Sequence, residues 1–170
     1  TQISNWEEEG LPPLRVAVSL AMVETRRAEL PARVATILKE AAVDASRLSL
    51  ELVGPVDTLD DASHRSLQAL HTAGVRLALD DMGSNPLVLL HLKDLPLSIV
   101  KLARELVQGA MENEHDQALL RNTTQLAHDL GLGVIAEGVE TQATMEFAVA
   151  QQCDIAQGYF LSKPRPADQI

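Results

Sequence analysis

Polar side chains interrupt apolar runs at recurring places in this chain. Glu51 lies in LSLELV, Asp80 and Asp81 close RLALDD, and Lys101 lies in SIVKLA. Glu137 lies in GVIAEGV with Glu140 just beyond it, and Gln157 lies in DIAQGYFL. Strands buried on both faces of a parallel sheet are ordinarily apolar throughout, so these exceptions call for a reason. Carboxylates gathered in one place repel unless they share a cation, and hard oxygen ligands suit Mg²⁺ or Mn²⁺. Two such ions can clamp a phosphodiester and supply a hydroxide, while a nearby lysine steadies the water or the developing charge. The chemistry this pattern points to is metal-assisted phosphodiester hydrolysis. Each residue alone has a plainer explanation. Asp81 can be a turn residue before Gly83, Lys101 a snorkelling side chain, and Glu140 a favourable charge at the next helix N-terminus.

The elements that would position these groups alternate. Arg15–Ala21 reads as a buried strand, Leu30–Ala42 as a helix and Leu48–Val53 as a strand. Asp60–Ala73 reads as a helix with a capping-box-like pairing of Thr58 and Asp61 and with Gly74 at its end. Arg76–Asp81 reads as a strand, Pro86–Lys93 as a short helix and Ser98–Ala103 as a strand. Asp116–Leu130 is the clearest helix, with Leu119, Thr123, Leu126, Ala127 and Leu130 on one face and Gly131 ending it. Gly133–Val139 then reads as a strand, Gln142–Gln152 as a helix and Ile155–Leu161 as a last strand. Repeated strand–helix units build a parallel sheet covered by helices, either doubly wound or a β/α barrel. No glycine-rich phosphate loop follows a strand, so a Rossmann or P-loop reading lacks support. In a barrel, the polar strand ends would share the C-terminal, active-site face.

Composition bounds the rest. The 170 residues, 46% hydrophobic and 22% charged, suit one folded domain spanning 1–170. The formal charge of −10 argues against non-specific DNA or RNA binding, yet carboxylate-held metal ions could still meet a phosphodiester. Cys153 is the lone cysteine, so no intrachain disulfide forms and a reducing, cytoplasmic setting is expected. No apolar run reaches the roughly 18 residues of a membrane span, and TQISNWEEEG has neither a basic n-region nor an apolar h-region, so neither a span nor a signal peptide is expected in these residues. It opens on threonine, and we expect it to be part of a longer chain.

Several segments, in order and correctly spaced from about Leu14 to Pro166, resemble the EAL domain family. VRLALDDMGSN is similar to the stretch ending in DDFGTG, and IVKLAREL to K-[IL]-D-R. GVIAEGVET contains the AEGVET motif unchanged, and CDIAQGYFLSKP is similar to C-D-x-x-Q-G-Y-x-x-S-[KR]-P. RVAVSLA corresponds to V-N-L-S and LSLELVGP to E-[IL]-T-E-S. The resemblance implies a variant TIM barrel that linearises cyclic di-GMP with Mg²⁺ or Mn²⁺. It further implies metal-ligand positions at Glu51, Asp80 and Asp81, catalytic positions at Lys101 and Glu137, and nearby site positions at Glu140 and Gln157.

The departures from the family pattern carry equal weight. The E-A-L tripeptide lies upstream of everything present. Ser19 replaces the ligand asparagine, Gly54 replaces the loop-anchoring glutamate, Ala103 replaces the aspartate of K-[IL]-D-R, and the loop reads MGSNP. The expectation is a partial TIM-type barrel of about six parallel strands lacking the family's N-terminal strands. Its open edges would seek a protein partner or a second copy. It would serve cyclic di-GMP signalling as a binding or interaction module without significant hydrolysis. The alternative is an active phosphodiesterase once the missing N-terminal segment is supplied; an unrelated TIM-barrel enzyme is a third possibility.

Overall fold

The computed structural model describes residues 2–83 and 92–169. Six strands form one parallel sheet in the order β1-β2-β3-β4-β5-β6. They are β1 (Val16–Ala21), β2 (Leu48–Val53), β3 (Arg76–Met82), β4 (Ile99–Leu102), β5 (Gly133–Ala136) and β6 (Ile155–Ala156). The helices are α1 (Gln2–Glu8), α2 (Leu30–Glu40), α3 (Asp61–Thr72), α4 (Arg104–Glu112), α5 (Glu114–Asp129) and α6 (Gln142–Ala150). The chain divides into two compact units. The first comprises Thr1–Ala78 with Leu90–Leu97, and the second Leu79–Leu89 with Ser98–Ile170. No helix among the described residues is long and apolar enough to cross a membrane.

In the first unit, β1 and β2 pair in register from Val16 with Leu48 to Ala21 with Val53. β2 is the better buried, with Leu50 and Leu52 in the core beside Leu67, Leu70 and Leu77. β1 departs from the expected buried strand. It lies at the end of the strand order, Val18 keeps 47% of its surface exposed, and only Leu20 is buried. Capping of α3 also differs from the expected pairing. Asp60, not Thr58, accepts the Ser63 amide at 2.9 Å, while the Thr58 hydroxyl donates to the Pro55 carbonyl. Asp60 has the extended backbone that an N-cap needs. Those hydrogen bonds from Ser63 hold its carboxyl below the usual range. Gly74 closes the helix as expected, its amide donating to the His71 carbonyl.

In the second unit, β4, β5 and β6 pair in parallel, with Lys101 beside Ile135 and Ala136 beside Ala156. α4 was not foreseen. Ala103 at its start provides no side-chain cap, and Gly109 weakens its helical signal. α5 begins at Glu114, where Asn113 accepts the Asp116 amide. Its buried face is Leu120, Thr123, Thr124 and Ala127, about one residue round from the expected stripe; Leu119 and Leu130 are exposed. Small Thr and Ala side chains allow close packing there, and the flanking leucines fall at its rim. The last two strands stop earlier than the apolar runs suggested, at Ala136 and Ala156. Beyond them the Leu161 and Ser162 amides turn back onto the Gly158 carbonyl, leaving Tyr159, Phe160 and Leu161 exposed. The Pro86–Lys93 helix lies mostly outside the described residues; Leu92–Asp94 forms a single 3₁₀ turn.

One contact in this unit responds to acid. Asp154 Oδ2 accepts the Val134 amide at 2.8 Å and meets His128 Nε2 at 3.0 Å, tying the end of α5 to β5. Partial burial raises the Asp154 carboxyl, but the bonds from His128 and Val134 outweigh it and hold the carboxyl below its usual range. The stability it contributes is therefore complete above the unfolded carboxylate pKa of about 3.9 and is lost as pH falls through the lower folded value. Urea unfolding of Asp154→Asn should show a smaller loss of stability below about pH 4 than the parent chain. Identical acid limbs would contradict this.

Candidate functional site

Lys101 is the best-placed charged residue of the second unit. Its neighbours Val100 and Leu102 are fully buried, and Lys101 itself keeps 3% of its surface. Successive residues of a strand face opposite sides, so Lys101 points away from those two side chains. Its ammonium lies 3.2 Å from Asp80 Oδ1 and 2.5 Å from Glu137 Oε1. A buried ammonium is tolerable only when such partners replace its water. Asp80 is held from a second side, because the Asp81 amide donates to the same Oδ1 at 3.0 Å. Asp81 has a left-handed backbone, φ 59°, uncommon for a residue other than glycine, and its side chain is exposed. Thus two carboxylates from β3 and from the end of β5 converge on one cation from β4.

The turn that follows β5 carries Glu137 and Glu140. Glu140 Oε1 pairs with Arg104 Nη2 at 2.9 Å. Val139 is buried and donates its amide to the Gln157 carbonyl at 3.0 Å, while the Gln157 amide donates to Ala136. The Gln157 side chain is exposed, so its structural link to the turn runs through its backbone. In the first unit, Glu51 of β2 stands in register beside Ser19 of β1, and Gly54 follows β2 with φ 119°. The structure therefore brings Asp80, Lys101 and Glu137 into direct contact and leaves Glu140 in a separate ion pair. Arg104 was not singled out from the sequence, although it belongs to the IVKLAREL segment.

Among the described residues, no group of three or more His, Cys, Asp and Glu side chains is arranged to hold an ion. Where two carboxylates do meet, the Lys101 ammonium lies against both. Within the second unit, Asp80 and Glu137 are thus arranged around an ammonium.

The EAL domain family model matches residues 1–164. The chain belongs to the EAL domain family. Among curated proteins it is 33% identical to the bifunctional diguanylate cyclase/cyclic di-GMP phosphodiesterase MucR of Pseudomonas aeruginosa, over 99% of this chain and 25% of MucR. The chain thus spans about a quarter of that relative's length. The solved MucR phosphodiesterase in complex with cyclic di-GMP superposes with a TM-score of 0.90, covering 99% of this chain and 68% of that one. The EAL domain of Mycobacterium smegmatis DcpA gives 0.92 at 30% identity, covering 99% and 76%. These neighbours place the chain in the EAL TIM-barrel fold. The Klebsiella pneumoniae BlrP1 structure, a manganese and cyclic di-GMP complex, is alike in fold at 24% identity and a TM-score of 0.82, covering 93% of this chain and 40% of that one.

Proposed function

We propose that this EAL domain binds cyclic di-GMP, or a protein partner in its place, without appreciable hydrolysis. The observation that carries the reading is the Lys101 ammonium held between Asp80 and Glu137. Two-ion hydrolysis requires carboxylates that hold the ions and so generate the nucleophile. Here two of the family's carboxylate positions are engaged by a lysine. Ser19 offers a short hydroxyl where the family pattern has asparagine, and Gly54 and Ala103 supply no side-chain oxygen at all. Glu51, Asp81, Glu140 and Gln157 remain candidates for contact with nucleotide or with an ion brought by it. The proposed location is the cytoplasm, where this nucleotide would be met. Calorimetric titration with cyclic di-GMP, in chelator and then in Mn²⁺, tests the reading. Equal saturable binding in both supports it. Binding that requires Mn²⁺ favours the active phosphodiesterase, and no heat at tens of micromolar leaves the protein-interaction form alone.

Self-association has its own support in the first unit. β1 ends the strand order and presents Val18 at its exposed side. An apolar groove of about 340 Å³ opens there, lined by Val16, Val18, Ile37 and Leu48 among others. An apolar groove of this kind favours contact with a second copy. Light scattering on the chain should give a dimer or larger species whose fraction falls on dilution, and Val18→Lys should shift it towards monomer. A monodisperse monomer at all concentrations would contradict this.

A further inference from the structure

The Glu137–Glu140 turn is gripped by one face of α4. Gln108 Nε2 donates to the Gly138 carbonyl at 2.7 Å. Arg104, one helical turn earlier, pairs with Glu140 at 2.9 Å. Gly138 lies between these two anchors with φ 69°, and a Cβ there would come within 2.4 Å of Arg104 Cγ. The turn therefore needs glycine for its left-handed backbone and for the room that the Arg104 stem occupies. The residue before it, Glu137, is the one whose carboxylate meets Lys101. Lys101 and Gln108 belong to one continuous strand–helix segment, β4 into α4. That segment holds Glu137 by its side chain and the Gly138–Val139 peptide by its carbonyl.

We propose that Gln108 is a positioning residue for the Lys101–Glu137 pair, acting through its hydrogen bond to the Gly138 carbonyl. With that donor present, the Gly138–Val139 peptide has one orientation, the turn that carries Glu137 is fixed, and the carboxylate is presented to the ammonium. Without it, the carbonyl turns towards water and Glu137 leaves Lys101 more often. The geometry stands by itself. Its meaning for function rests on the binding reading above, so the test uses neither nucleotide nor metal.

Lys101 is the buried lysine of the described chain; Lys39, Lys93 and Lys163 are exposed. A paired, buried ammonium exchanges its protons slowly enough to give a lysine side-chain signal in nitrogen-edited NMR, where exposed lysines lose theirs to water. Gln108→Met removes the donor at similar size, Gln108→Glu replaces it with an acceptor, and Gln108→Arg retains a donor. The Met and Glu variants should exchange the Lys101 ammonium protons about fivefold faster, the change one ordinary lost hydrogen bond produces. The Arg variant should stay near the parent rate. Should the Met or Glu variant fail to fold, the parent chain still answers through a scalar coupling across the Gln108–Gly138 hydrogen bond. An unchanged Lys101 signal in both donor-free variants, or no such coupling in the parent, would overturn the proposal.

Discussion

Replacing Lys101 by methionine should lower the free energy of unfolding by about 2–4 kcal/mol and make the variant's stability respond to Mn²⁺. Methionine keeps most of the volume of the buried stem, so the loss is mainly electrostatic. Removing one member of a buried ion pair commonly costs about 3–5 kcal/mol, because the other charge remains without its partner. Asp80 and Glu137 each retain about a fifth of their side-chain surface, at 21% and 23%, so water screens part of that cost. Two carboxylates aimed at one emptied position then favour a divalent ion. Denaturant titrations in chelator and in Mn²⁺ would show the midpoint of the variant rising with metal while the parent's stays in place. A variant as stable as the parent, or equal metal responses in both, would show that Lys101 does not hold these carboxylates.

Gly158→Ala should be about as damaging, by roughly 3 kcal/mol. An ideal Cβ at Gly158 would lie 2.1 Å from the Val139 carbonyl oxygen and 2.4 Å from its nitrogen. These are backbone atoms, so no rotamer change relieves the clash. The same Val139 groups bond the Gln157 carbonyl and the Phe160 amide, both at 3.0 Å. An added methyl must push the segment after β6 away from the turn after β5. Urea unfolding measures the loss, and hydrogen exchange should show the Val139 and Phe160 amides among the most accelerated. A variant with parent stability and unchanged protection of these amides would contradict the packing described here.

Much of the fold is readable because its signals are local. β2 and β3 are short apolar runs bounded by turn residues, and their limits differ from expectation by at most one residue. Lys101 stands out in sequence because an ammonium amid Val100 and Leu102 requires a partner. The ends of β5 and β6 are not local. Val139 is apolar, so hydropathy extends β5 through it, whereas Gly138 turns the chain left-handed and Val139 is held by Gln157 and Phe160. Thr58 and Asp60 both precede α3, and only folded geometry places the Ser63 amide on Asp60. The α5 face was displaced because Leu119 and Leu130 carry the strongest apolar signal yet lie at the exposed rim. For the site, residue types suggested carboxylates around a metal with lysine beside them. The distances put the lysine between two of those carboxylates, a detail that spacing along a chain does not encode.

The fate of bound nucleotide tests the central reading most directly. The chain is incubated with cyclic di-GMP and Mn²⁺, the complex is separated from free ligand, and the nucleotide is released and resolved by chromatography. Recovery of the intact cyclic dinucleotide in stoichiometric amount is the predicted result. Recovery of the linear dinucleotide would contradict it, because the arrangement of Asp80, Lys101 and Glu137 would then be compatible with catalysis.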